Sequence, residues 1–343
     1  MKLLATMTET GSIPALTPNL LIRNAAIRKL QGLSGGSLRV IDTWGEWESG
    51  EDNGLKASIE IHEPAFYRQL LLGGSNGVAR AYIKGLWSCD DLISLFRLLI
   101  LNIDQLDGIE SGAGKIANFL YLSRHFLNRN SKDGSRDNIH AHYDLGNDLF
   151  ELFLDETMTY SAGIYKDDTY TLREASVEKL DRICRKIGLH EDMHILETGT
   201  GWGSFAVHAA KNYGCRVTTT TISQEQYDYA RNRIKQEKLE HRIELVLEDY
   251  RDLDGKFDRI VSIEMLEAVG HKYLPVYFNQ CSAMLKDEGQ MLVQVITMPD
   301  HRYEQYLKQS DFIQQFIFPG SCCPSLTAIL NAATGQTDLR VSH

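Results

Sequence analysis

From residue 172 onward, short apolar runs with strand character alternate with segments of helical period. That alternation limits the chain to one kind of fold. Helix-patterned 172–187 leads to a strand at 194–198, helix 203–212 to a strand at 215–222, and helix 224–238 to a strand at 242–247. A fourth strand, FDRIVSIEM, spans 257–265, and helix 273–286 precedes a fifth, GQMLVQVITM, at 289–298. Parallel strands joined through helices are buried on both faces, so they read as near-continuous apolar runs. The expectation is an α/β, Rossmann-like doubly wound sheet, with its ligand beyond the carboxyl ends of the strands.

The first strand runs into HILETGTGWGSFAVHAA (His194 to Ala210), with Gly199, Gly201 and Gly203 at alternate positions. Glycines so spaced turn the backbone sharply and let a ligand lie against bare peptide groups. A phosphate loop would need Gly-Lys-Ser/Thr, but the first lysine after the turn is Lys211. A dinucleotide fingerprint would need its third glycine one residue later and an acid at the end of the second strand. Here that strand, CRVTTTTI, ends in threonines. With Glu197 just before the turn, S-adenosylmethionine, which has no pyrophosphate, suits the pattern better. A strand-to-helix turn that binds nothing would look the same.

Polar residues gather where the strands end: Glu197, Thr221, Ser223, Gln226, Asp249, Glu267, His271 and Gln294. Each alone reads as a cap or a turn; together at one edge they read as a site. Ser223 is also a plausible N-cap. Glu264 and Glu267 stand three apart in IEMLEAVGH. A carboxylate there can stabilise a cation or hold a proton acceptor, or it can simply favour a helix start.

The front of the chain differs. Segments 37–48 and 55–62 alternate like the two strands of a hairpin, and helices are expected at 64–72 and 90–103, with Gly73-Gly74, Gly77 and Gly85 breaking the chain between them. This gives a small α+β domain over 1–122, then a basic linker over 123–139, then the large domain over 140–343. Helix 19–33 carries Arg23, Arg28 and Lys29 on one face. It reads either as a core-packed helix with a solvated side or as a surface for lipid headgroups. The net charge of −10 argues against nucleic acid as a partner. Six scattered cysteines without a C-x-x-C pair indicate neither a metal site nor a disulfide framework. With no signal-peptide pattern and no membrane-length apolar run, a cytoplasmic protein is expected.

Longer motifs make the chain recognisable. HYDLGNDLFELFLDETMTYSAGIY (142–165), LETGTGWGSFAVHAA (196–210), TTISQEQ (220–226), LEDYRDLDGKFDRIVSIEMLEAVGH (247–271) and FIQQFIFPGSCCPS (312–325) resemble the cyclopropane-fatty-acyl-phospholipid synthase family, which includes the mycolic acid cyclopropane synthases. AYIKGLWSCDDL (81–92) resembles the family's N-terminal domain. The resemblance implies a class I methyltransferase fold. It also implies transfer of the methyl of S-adenosylmethionine to a cis double bond of a phospholipid acyl chain, through a carbocation that loses a proton to a bound bicarbonate as a cyclopropane ring closes.

By resemblance, Tyr160 and Ser161 match cofactor contacts ahead of the main domain. Glu197, Gly199, Gly201, Trp202 and Gly203 lie in the matching turn, and Thr221, Ser223 and Gln226 follow the second strand. Tyr250 and Arg251 match the pair at the adenine end. Glu267 matches a bicarbonate-binding glutamate, and Ile296 a backbone contact to the same anion. There are departures: Ala162 stands where a cysteine or serine is usual, Thr200 where a cysteine is usual, and Gln294 where some members carry histidine.

The family continues past DLRVSH, so the large domain is expected to be incomplete, with five strands, a sixth at 337–343, and low stability and activity. The resemblance implies a peripheral place at the inner membrane face, against a phospholipid surface; a homodimer is one arrangement considered. The alternatives are an inactive lipid- or partner-binding module, a methyltransferase making methyl-branched lipid, and one acting on a small molecule.

Overall fold

The computed structural model describes residues 17–106 and 146–342. The basic segment 123–139 lies outside the described residues. The chain divides into two compact units, Met1–Tyr121 and Leu122–His343.

In the first unit, β1 (Gly36–Asp42), β2 (Gly45–Gly50), β3 (Leu55–Ile61) and β4 (Trp87–Cys89) form a sheet in the order β2-β1-β3-β4. The segment read as one strand, 37–48, is itself a hairpin that turns at Asp42–Gly45, and β3 lies parallel to β1 instead of completing a hairpin with it. The first expected helix is also longer: one helix spans Ala65–Ile83, kinked at Gly74, and a second spans Leu92–Leu101. Leu38, Val40, Ile59 and Ile61 pack against Phe66, Tyr67, Leu95 and Leu98 in one core. The helix Pro18–Leu30 is tied down through Arg23, whose guanidinium pairs with the buried Asp42 at 2.5 Å. Arg23 therefore holds the fold together and does not offer a free charge to a headgroup.

In the second unit, β5 (His194–Thr198), β6 (Arg216–Thr220), β7 (Ile243–Val246), β8 (Phe257–Ile263) and β9 (Leu285–Gln294) form a parallel sheet in the order β7-β6-β5-β8-β9. This is the doubly wound sheet that the alternation predicts. Successive residues feed opposite cores. Ile195 and Val261 meet the helices Leu172–Lys186 and Ser204–Tyr213; Leu196 and Ile260 meet the helices Leu274–Met284 and Leu326–Thr334. Residues 337–342 form no strand, which corrects the sixth-strand expectation. The strand order reverses between β5 and β8, so the crevice for a ligand opens at their carboxyl ends.

Candidate active site

The glycine turn occupies that crevice. Gly199, Gly201 and Gly203 all have positive φ, at 92°, 53° and 83°. The N–H groups of Gly199 and Thr200 both donate to the Thr220 carbonyl, at 3.1 and 2.9 Å, which fixes the turn against the end of β6. A Cβ on Gly199 would meet Met265 at 3.2 Å, and one on Gly203 would meet Ala230 at 3.3 Å; a Cβ on Gly201 would meet nothing within 4 Å. Two glycines thus serve packing, while the third faces open space, as a ligand cradle requires.

Behind the turn lies a buried polar chain. The Thr219 hydroxyl donates to Glu197 Oε2 at 2.6 Å and lies 2.7 Å from the Thr200 hydroxyl. Glu197 is only 2% exposed, and burial pushes its carboxyl up to about 8. It supports the turn from within the sheet. The turn's tryptophan has a similar part. Trp202, also 2% exposed, donates from Nε1 to Asn147 Oδ1 at 2.7 Å. With Phe150, Met158 and Tyr160 it pins the segment after Gly146 against the turn.

That segment carries Tyr160, Ser161 and Ala162 into the crevice. The Tyr160 ring stacks on Phe318 at 6.4 Å and stands edge-on to Phe150. Burial raises its phenol, and the nearby Glu264 adds to the rise. Ser161 accepts a hydrogen bond from Lys179 Nζ at 2.5 Å. Lys179 is 1% exposed, and burial pushes it down to about 8 against the opposing pull of Glu264 and Glu197.

At the end of β6, Thr221 donates to Gln226 Oε1 at 2.8 Å, and the Ser223 hydroxyl caps the helix Gln224–Gln236 by accepting from Gln226 N–H. All three side chains are buried, so their hydroxyls and amide shape the loop. Beyond β7, Tyr250 is buried against Tyr277, and Arg251 forms a two-pronged pair with Asp249 at 2.6 and 2.7 Å.

The carboxylates lie at the ends of β8 and β9. Glu267 Oε1 accepts the Ile296 N–H at 2.6 Å, while its buried Oε2 has no hydrogen-bond partner among the described residues. Burial, reinforced by Glu264, pushes the Glu267 carboxyl up to about 7. Glu264 Oε1 accepts both the Ala162 N–H at 2.9 Å and Gln294 Nε2 at 2.8 Å. The structure thus joins Ala162, Glu264 and Gln294, and separately Glu267 and Ile296, at one sheet edge. Lys179 was missed from the sequence because a helical lysine reads as solvated. Glu264 was noticed only as an acid near Glu267; its contact with Ala162 spans 102 residues. A cavity of about 710 Å³, lined by His271, Tyr303, Leu307 and Ala328 among others, includes none of these residues.

Residues 130–343 match the family model described as mycolic acid cyclopropane synthetase. The tuberculostearic acid methyltransferase of Mycobacterium tuberculosis is 37% identical over 292 residues, covering 83% of this chain and 68% of that protein. The cyclopropane-fatty-acyl-phospholipid synthase of Escherichia coli K12 is 36% identical over 279 residues, covering 81% and 69%. A solved mycolic acid cyclopropane synthase, complexed with SAH and CTAB, aligns with a TM-score of 0.55 at 32% identity, covering 59% of this chain and 74% of that one.

Proposed function

The chain belongs to the mycolic acid cyclopropane synthetase family, and from that premise we propose that it transfers the methyl of S-adenosylmethionine to a cis double bond in the acyl chain of a phospholipid. The observation that carries this reading is the meeting, at one sheet edge, of an open glycine cradle with an acidic, aromatic-walled site. Gly201 leaves room for the cofactor, and Tyr160, Ser161, the turn 199–203 and the loops at 221–226 and 250–251 are the groups proposed to hold it. When bound, the cofactor supplies an electrophilic methyl on a sulfonium.

The chain's own groups then have two tasks. One is to stabilise positive charge, first on sulfur and then on the alkene carbons. Glu264 supplies an acidic group where that cation develops, Glu267 adds its charge in the ionised form, and the faces of Tyr160 and Phe318 suit the cation as well. The other is to keep water from trapping the cation. The rings of Phe150, Phe153, Tyr160 and Trp202 form a continuous apolar wall.

A bicarbonate does not fit the residues present. The Ile296 N–H is taken by Glu267, and both the Ala162 N–H and the Gln294 amide are taken by Glu264. An added anion would find these donors occupied and two carboxylates beside it. The proton acceptor is therefore to be sought among the chain's own groups. One relative is named as a methyltransferase of tuberculostearic acid and not as a cyclopropane synthase, which keeps an open-chain product beside ring closure.

A phospholipid acceptor calls for a membrane surface. Ile93, Phe96 and Ile100, on one face of Leu92–Leu101, are exposed at 58–66%, while Leu95 and Leu98 on the other face are buried. Such a face supports peripheral contact with lipid. Among the described residues, no helix is long and apolar enough to cross a membrane.

The test is to incubate the protein with methyl-labelled S-adenosylmethionine and vesicles of either monounsaturated or fully saturated phosphatidylethanolamine. Label should enter only the unsaturated lipid. Intact cofactor binding with label in neither lipid would overturn the reading.

A further inference from the structure

Glu264 holds an unusual backbone. It follows β8 with φ of 49°, in the left-handed region that most side chains avoid. Residues kept there are over-determined by their surroundings and cluster at functional sites. Three contacts hold this one: its N–H donates to the Gln294 carbonyl at 2.8 Å, and its Oε1 receives the Ala162 N–H and Gln294 Nε2. Positions 162 and 294 are also where the chain departs from the pattern it resembles. At those departures stands a carboxylate of the chain itself, whose charge is felt by the buried Lys179.

We propose that the Glu264 carboxylate is the base of this active site, standing where a bound anion would otherwise stand and taking the proton that the substrate cation must lose. The inference rests on the lipid-alkene reading above. The alkene's π pair forms the new carbon–carbon bond as the carbon–sulfur bond of the methyl donor breaks, its electrons staying on sulfur. The substrate is left as a carbocation. One proton of the transferred methyl passes to a Glu264 oxygen; the freed C–H pair closes the ring directly, or, once a 1,2-hydride shift has moved the cation to the carbon that bears the methyl, forms a methylene double bond. The carboxylic acid then releases its proton to water. Gln294 cannot take this part because an amide does not titrate in this range; it and Ala162 orient the carboxylate.

The decisive variant is Glu264→Gly. Glycine suits the left-handed backbone, so the fold should be kept or strengthened. It also empties a space the size of a carboxylate. The melting temperature should not fall, and S-adenosylmethionine affinity should stay within about threefold. Methyl transfer to unsaturated vesicles should drop about 10²–10⁴-fold, the range for loss of a positioned base. Added formate or bicarbonate should restore part of it, while the parent protein ignores both.

A second measurement needs no turnover: NMR of isotopically labelled bicarbonate should show binding to Glu264→Gly and none to the parent. Undiminished transfer by the variant, or a parent that binds or requires bicarbonate, would overturn the proposal. A parent that labels no lipid would remove the lipid reading and the base role with it. The bicarbonate experiment would still decide whether Glu264 fills the anion site.

Discussion

Glu264 and Glu267 lie three residues apart, one before the short helix Leu266–Val269 and one inside it, and the chain treats them differently. Glu267 is the more deeply enclosed: its carboxyl is raised to about 7 by burial, with one oxygen lacking a partner. A carboxyl whose folded pKa exceeds its unfolded value of 4.5 binds more protons in the native state. Its contribution to stability is therefore full below about pH 4.5 and is lost as pH rises through about 7. Glu267→Gln should melt with the parent at pH 4.5 and several degrees above it at pH 8.5, with thermal melts as the readout; a constant offset at both values would contradict this. At the turn, Gly201→Ala would place a Cβ at φ 53° in the open cradle. It should cost about 1–2 kcal/mol of stability and weaken S-adenosylmethionine binding at least tenfold, as calorimetry would show. The positions of Gly201 and Glu267 beyond the strand ends are legible in the sequence because motif and strand end coincide. The partners of Glu197 and Glu264 are not. Which way a strand-end carboxylate faces depends on partners such as Thr219 and Ala162, which only the folded sheet brings near.

Among the elements, the parallel sheet is the most legible part. Each of its five strands overlaps an expected one, although β6 is threonine-rich and β9, at Leu285–Gln294, begins and ends four residues before the expected 289–298. The small sheet was harder. Alternation runs through Asp42–Gly45 without a strong break, so a hairpin looks like one strand, and the parallel pairing of β1 with β3 leaves no local trace. Helix starts give a direct check. Thr171 and Glu174 form a capping box at the start of Leu172–Lys186, while Ser223 caps Gln224–Gln236 beside the Thr221–Gln226 pair at the end of β6. Thr171→Ala and Ser223→Ala should each cost about 1 kcal/mol in urea unfolding. Only Ser223→Ala should also weaken cofactor binding, because the loop it shapes faces the cradle. Equal affinity for both variants would detach that loop from the site.

For the whole molecule, the proposed function puts the chemistry in the second unit and looks to the first for membrane contact. Changing both Phe96 and Ile100 to Glu adds charge to the exposed face of Leu92–Leu101 and removes two apolar contacts, each worth about 1.5–3 kcal/mol when fully buried. The double variant should lose at least tenfold in co-sedimentation with phospholipid vesicles and keep S-adenosylmethionine affinity unchanged. Undiminished vesicle binding would place the lipid contact elsewhere. The central claim, that a lipid alkene takes a methyl and the resulting cation gives up one of that methyl's protons to the protein, is tested most directly by an isotope experiment. The protein is supplied with S-adenosylmethionine carrying a fully deuterated methyl and with monounsaturated phospholipid vesicles, in buffer stripped of bicarbonate, and the lipid acyl chains are analysed by mass spectrometry. The account predicts a labelled acyl chain that keeps two of the three deuterons and forms at the same rate when bicarbonate is added back. An acyl chain keeping all three, or a reaction that starts only with bicarbonate, would contradict it.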